Sequence, residues 1–207
     1  MAWSPEVLCF GILGIINESH PNGSVHMTKH LNQAKPSAWV SRFAPLIPRG
    51  GAVLDLACGG GRHTRLLAGL GYEVEAVDRD AASFGELAAI SGVHVREADL
   101  EAGVWPYGEG VFAGIVVSNY LFRPRLPVLL AALAEPGVLI YETFMLGNER
   151  YGKPSNPEFL LQPQELLAWA KDAGLSVVAF EEGYVDLPKP AMVQRLCVVR
   201  GALPARL

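Results

Sequence analysis

The stretch Val53-Leu54-Asp55-Leu56-Ala57-Cys58-Gly59-Gly60-Gly61-Arg62 constrains this chain more than any other. An apolar run ending beside an acid, three consecutive glycines and a helix-like continuation describe a buried strand, a tight loop and a helix N-terminus. Glycine lets the backbone turn sharply and lets a ligand approach closely, and the free N–H groups of the first helical turn face that ligand. The stretch reads as a nucleotide-type cofactor site.

A chain of 207 residues suffices for one sizeable domain. With 50% hydrophobic and 18% charged residues it reads as a soluble globular protein with a large core. A net charge of -4 offers no basic footprint, so nucleic acid is not an expected partner. The three cysteines, Cys9, Cys58 and Cys197, are far apart and show no metal spacing, and no histidine pairs with them. No metal is expected, and reduced thiols in the cytoplasm are the simplest reading. Cys58 is read as a small packing residue within the loop. The apolar run Val7 to Ile16 is too short to span a bilayer and lacks the flanks of a secretory signal. Residues 1–26 are therefore expected to be an extension outside the fold, and 27–207 the domain.

Along the chain, apolar runs alternate with helical patterns. Ser37 to Ile47 has helical spacing with Ser37 as N-cap, and Pro45 to Gly51 ends it. Strands are expected at Ala52–Leu56, Tyr72–Val77, Val93–Ala98, Val111–Ser118, Val138–Phe144, Leu175–Phe180 and Leu196–Val199. Helices are expected at Arg62–Leu70, Ala81–Ile90, Leu126–Ala134 and Pro163–Ala173, with a long irregular loop from Met145 to Gln162. Alternation of this kind requires an α/β fold with a mostly parallel sheet and helices on both faces. The last two strands have no helix between them and are expected to be antiparallel.

Two cofactors compete for the glycine loop. A dinucleotide site wants a third glycine where this chain has Thr64. Asp55 would serve little purpose beside a pyrophosphate, but suits a ligand end carrying an ammonium and a sulfonium. Asp78, ending the second strand, suits a ribose diol, to which a carboxylate offers two acceptor oxygens. Asp99, ending the third, can accept from an adenine amino group, with Leu100 against the ring. Three acids on successive strand ends follow the edge where open α/β sheets bind ligands.

At this point VLDLACGGGRHTRLLA followed by EVEAVDRD resembles the first two motifs of the class I S-adenosylmethionine-dependent methyltransferases. Their D-x-G-x-G-x-G pattern maps onto Asp55, Ala57, Gly59 and Gly61, with Ala57 departing from the first glycine. The resemblance implies S-adenosyl-L-methionine as cofactor, bound by Asp55, Ala57, Cys58, Gly59, Gly61, Asp78, Arg79, Asp99, Leu100 and Asn119. It implies a doubly wound, mostly parallel seven-stranded sheet of Rossmann-like methyltransferase type with an antiparallel last strand. It extends from about Ala34 to Arg200. VVSNYLFRP, Tyr141-Glu142-Thr143-Phe144 and GNERYGKPSNPEFLLQPQELL are similar to bacterial tellurite-resistance-type methyltransferases.

The implied reaction is methyl transfer to a small-molecule acceptor. Its pocket is expected over the fourth and fifth strand ends, with Tyr120, Arg123 and Glu142 as catalytic candidates and Phe122, Arg125, Phe144, Asn148 and Tyr151 around them. Tyr120 could orient a nucleophile, Arg123 or Arg125 bind an anion, and Glu142 serve as base or loop anchor. Nitrogen-methylating enzymes often carry an Asn/Asp-Pro-Pro-Tyr/Phe segment after the fourth strand, where this chain has Asn119-Tyr120-Leu121-Phe122. An oxygen, sulfur or chalcogen acceptor is therefore favoured, tellurite, selenite and thiols included. A cofactor-binding protein without catalysis and a nicotinamide oxidoreductase are the alternatives. His63 is expected to be a partly exposed helix residue.

Overall fold

In a computed structural model of the chain, which describes residues 35–202, the apolar runs become seven strands of one sheet. They are β1 Ala52–Leu56, β2 Glu73–Asp78, β3 Val93–Glu97, β4 Phe112–Ser118, β5 Leu133–Phe144, β6 Ser176–Val185 and β7 Ala191–Arg200. The spatial order is β3-β2-β1-β4-β5-β7-β6. The first five strands pair in parallel, and β7 runs antiparallel to both β5 and β6. Strand order reverses between β1 and β4, and the carboxyl ends there open the crevice in which doubly wound sheets hold ligands. The expected extension, residues 1–26, lies outside the described residues, as does Cys9.

Strand alternation divides the core in two. In β1, Val53 faces α1 (Ala38–Phe43) and α2 (Arg62–Gly69), packing with Trp39, Phe43 and Leu67. Leu54 and Leu56 face α3 (Leu126–Ala131) and α4 (Glu165–Asp172), packing with Leu129, Tyr141 and Leu166. Each such side chain contributes about 1.5–3 kcal/mol on full burial. Ser37 caps α1 through its Oγ, as its position predicts. The buried Gln194 of β7 accepts from the N–H of Leu166 in the first turn of α4.

Several expectations need correction. Ala81–Ile90 is not a helix but two short 3-10 turns, Ala81–Ser83 and Leu87–Ala89. Gly85 between them has φ +43°, a backbone conformation that stops the α-helical ladder. β5 begins at Leu133, earlier than expected, so Glu135, Pro136 and Gly137 lie within the strand and α3 ends at Ala131. β6 and β7 extend well beyond the apolar runs, because pairing with each other satisfies their backbone even where side chains are polar. The loop after β5 is closed at its base, where Leu161 N donates to Phe144 O and Leu146 N to Leu161 O.

Candidate active site

The glycine loop is built from left-handed backbone. Ala57, Gly59 and Gly61 have φ of +54°, +52° and +74°. Ala57 thus adopts the conformation that glycine holds without strain, at a cost of roughly 1–2 kcal/mol. A Cβ on Gly61 would overlap the Leu87 side chain, whereas a Cβ on Gly59 or Gly60 would meet nothing within 4 Å. The loop is therefore packed tightly beneath and open above, as a cradle for a ligand must be. Cys58 N donates to Val77 O, which ties the loop to β2. Burial, with the charges of Asp55 and Asp78, pushes the Cys58 thiol far up, so Cys58 is an inert packing residue.

The three acids stand in line along β1, β2 and the turn after β3. Asp55 is only 1% exposed, and its Oδ2 accepts from Thr64 Oγ1 at 2.6 Å. Burial pushes its carboxyl up to about 6, against the hydrogen bonds of Thr64 and the nearby charge of Arg62. Asp55 therefore charges the floor of the loop without reaching its surface. Thr64, where a dinucleotide site would have its third glycine, is fully buried as the partner of that acid. Asp78 Oδ2 accepts from Gly59 N at 2.8 Å and Oδ1 from Asp80 N, so the second acid is locked to the loop. Asp99 Oδ1 accepts from the N–H groups of Glu101 and Ala102, and these bonds hold its carboxyl below the usual range. Leu100 is buried behind it, while Arg79 is exposed and lends positive charge to Asp99 and Glu101.

Beyond β4 and β5 the structure separates the expected residues. Glu142, 8% exposed, accepts from Ser118 Oγ at 3.2 Å and from Arg195 Nε at 3.2 Å. Ser118 Oγ in turn accepts from Arg62 Nη2 at 2.9 Å, and Arg195 Nη1 donates to Glu181. A relay of charged and polar groups thus runs from the glycine loop to β7. Tyr120 and Phe122 belong instead to a cleft on the α3/α4 side, with Leu56, Trp105, Tyr141 and Trp169. Asn119 is exposed, has φ +57°, and donates its backbone N–H to Glu142 O.

The two arginines after β4 are fasteners. Arg123 donates to both carboxylate oxygens of Glu165 and to the carbonyls of Glu158 and Leu160. Arg125 donates to the carbonyls of Leu100, Glu101 and Gly103. Asn148, 2% exposed, joins Pro154 O to Met192 N and so anchors the loop after β5. Tyr151 is exposed against Tyr184, and Phe144 is half-buried at the end of β5. His63 overturns its expectation: it is 3% exposed, and its Nε2 accepts from Ser37 N at 3.1 Å. Burial and the neighbouring Arg62 push it down to about 3, so it packs as a neutral ring.

Sequence reasoning missed Ser118 and Arg195 as partners of Glu142, and Arg62 as the donor to Ser118. Register across β5, β7 and β6 places Glu142, Arg195 and Glu181 side by side, and no sequence spacing reports that. Arg62 does follow the glycines directly, a position from which a long side chain can reach the next strand end.

The strand order with an antiparallel β7 lodged between β5 and β6 decides the architecture. The chain has the class I methyltransferase fold. The family model described as tellurite resistance protein TehB matches residues 26–104. TehB from Haemophilus influenzae superposes with a TM-score of 0.61 at 20% identity, over 77% of this chain and 61% of that one. The Burkholderia thailandensis 1,6-didemethyltoxoflavin-N1-methyltransferase, solved with S-adenosylhomocysteine, superposes at 0.59 with 18% identity over 80% and 79%. A protein-L-isoaspartate O-methyltransferase of Chlorobaculum tepidum is 34% identical over 138 residues, covering 64% of this chain and 57% of the relative. The match therefore spans less than two thirds of that relative and of the Haemophilus protein.

Proposed function

We propose that this chain is an S-adenosylmethionine-dependent methyltransferase of the cytoplasm acting on a small oxygen, sulfur or chalcogen acceptor. The observation that carries the reading is the line of Asp55, Asp78 and Asp99 around a loop open above Gly59 and Gly60. A buried, charged floor favours a cationic ligand end, because Coulomb attraction is weakly screened there. Asp78, already fixed to the loop, would hold the ribose hydroxyls, and Asp99 the adenine amino group with Leu100 behind the ring. The backbone from Ala57 through Gly61, with Cys58 inside it, would line the methionine end, and Arg79 and Asn119 would flank the site.

When bound, this cofactor supplies a methyl group already activated on a sulfonium. The protein's work is to align the acceptor and exclude water. Glu142 takes the proton of an acceptor that arrives protonated, its carboxylate oriented by Ser118 and Arg195. Arg123 acts through the loop it fastens.

Calorimetry with S-adenosylmethionine, S-adenosylhomocysteine and a nicotinamide dinucleotide tests the cofactor. The first two should bind and the third should not; the reverse pattern overturns the reading. Asp78→Ala should weaken cofactor binding by about 1–3 kcal/mol. Formation of S-adenosylhomocysteine with selenite, tellurite, thiols and phenols then identifies the acceptor, and binding without turnover on any of them would leave a non-catalytic binder.

A further inference from the structure

The turn after β3 is stitched from both sides. From within, Asp99 Oδ1 takes the N–H groups of Glu101 at 2.8 Å and Ala102 at 2.9 Å, and Gly103 N donates to Asp99 O at 3.0 Å. From outside, Arg125 reaches over from the segment after β4. Its Nε donates to Leu100 O at 2.9 Å, and its Nη2 is shared between Glu101 O and Gly103 O. The turn has no slack, since a Cβ on Gly103 would lie 2.5 Å from Asp99 O.

We propose that Arg125 is the positioning residue for base recognition: by clamping three carbonyls of this turn it sets the pose of Asp99 and Leu100 and so selects a 6-aminopurine over a 6-oxopurine. The inference rests on the adenosyl reading above. Asp99 Oδ1 is committed to the turn, which leaves Oδ2 for a ligand. An ionised carboxylate only accepts, so it pairs with an exocyclic amino group and repels an exocyclic carbonyl. The backbone bonds that stabilise the carboxylate, with Arg79 and Arg125 nearby, keep it ionised. A carboxylate this close to solvent discriminates only if its direction is fixed, and fixing three carbonyls at once requires the planar fork of a guanidinium. A lysine would keep the charge and lose the fork.

Calorimetry on the full chain with S-adenosylhomocysteine and S-inosylhomocysteine reads the ratio of the two affinities. The wild type should prefer the adenosyl compound by about tenfold or more. Arg125→Met and Arg125→Lys should both bring that ratio to within about threefold, as the charge-assisted bond loses its geometry. Gly103→Ala should do the same with Arg125 intact, and serves equally if Arg125→Met fails to fold. A role confined to stability would lower both affinities together and leave the ratio unmoved; an unchanged ratio in Arg125→Met or Gly103→Ala overturns the proposal. A full ratio in Arg125→Lys assigns the effect to charge and overturns the clamp. A wild type that binds both compounds equally removes Asp99 as the base reader, whereas one that binds neither overturns the adenosyl reading itself.

Discussion

The two halves of the crevice are made in different ways. Around β1, β2 and the turn after β3, backbone conformation does most of the work: three left-handed residues, a glycine packed against Leu87, and acids bonded to nearby N–H groups. Around β4, β5 and β7, the backbone is strand apart from Asn119 at φ +57°, and side chains of Arg62, Ser118, Glu142 and Arg195 form a relay. The first half depends on local geometry and tolerates little change in residue size. The second depends on topology, and Arg62, the first residue of α2, ties it to the first.

The contrast can be broken or sharpened by substitution. Gly61→Val combines a left-handed φ with overlap on Leu87, and should cost about 2–5 kcal/mol of stability in urea denaturation. If it costs less than about 1 kcal/mol, the loop is not the rigid half.

Asp55 and His63 make the rigid half pH-dependent in opposite senses. Asp55 titrates near 6 when folded instead of near 3.8, so the folded chain retains a proton that the unfolded chain has lost. Its effect is to lower stability as pH rises from about 4 to 6. His63 stays neutral down to about 3, while an unfolded imidazole protonates near 6.5, so its contribution raises stability with pH from 3 to 6.5. The two slopes oppose across the shared window. Asp55→Asn should unmask the rise and add up to about 3 kcal/mol of stability above pH 6, as measured by denaturation at each pH. The same variant should weaken S-adenosylmethionine more than S-adenosylhomocysteine, which keeps the ammonium but lacks the sulfonium; equal weakening would remove the sulfonium charge from the recognition.

Arg195→Leu strikes the topological half. Removing one partner of a nearly buried pair should cost about 1–3 kcal/mol and leave Glu142 without its guanidinium. Its affinity for S-adenosylhomocysteine in calorimetry should stay within about twofold, about 0.4 kcal/mol, and a tenfold loss would show that the halves are coupled. The smallest effect belongs to Ala57→Gly, which should stabilise the chain by up to about 1 kcal/mol by relieving the left-handed alanine.

This division explains what could be read from the sequence. The apolar runs, the glycines and the acids at strand ends are contiguous patterns, and they announce the parallel sheet and its crevice. The alanine-rich segment from Ala81 to Ile90 misleads because Gly85 interrupts it with a single backbone angle. His63 misleads because the residue that donates to its ring, Ser37, belongs to another element. The partners of Glu142 are legible only after β7 is seated between β5 and β6, since their proximity is a matter of register.

The place of β7 also sets an order of completion. The strands that frame the glycine loop and its acids have all been made once β4 is in place. Glu142 then waits for Arg195, which is supplied by a strand made after β6 yet inserted inside it. Until that insertion, β5 presents an unpaired edge of the kind that recruits other chains. A chain leaving the ribosome from its N-terminus would thus complete the glycine loop and its acids well before the Glu142 relay, and β7 closes the sheet and that relay in one step.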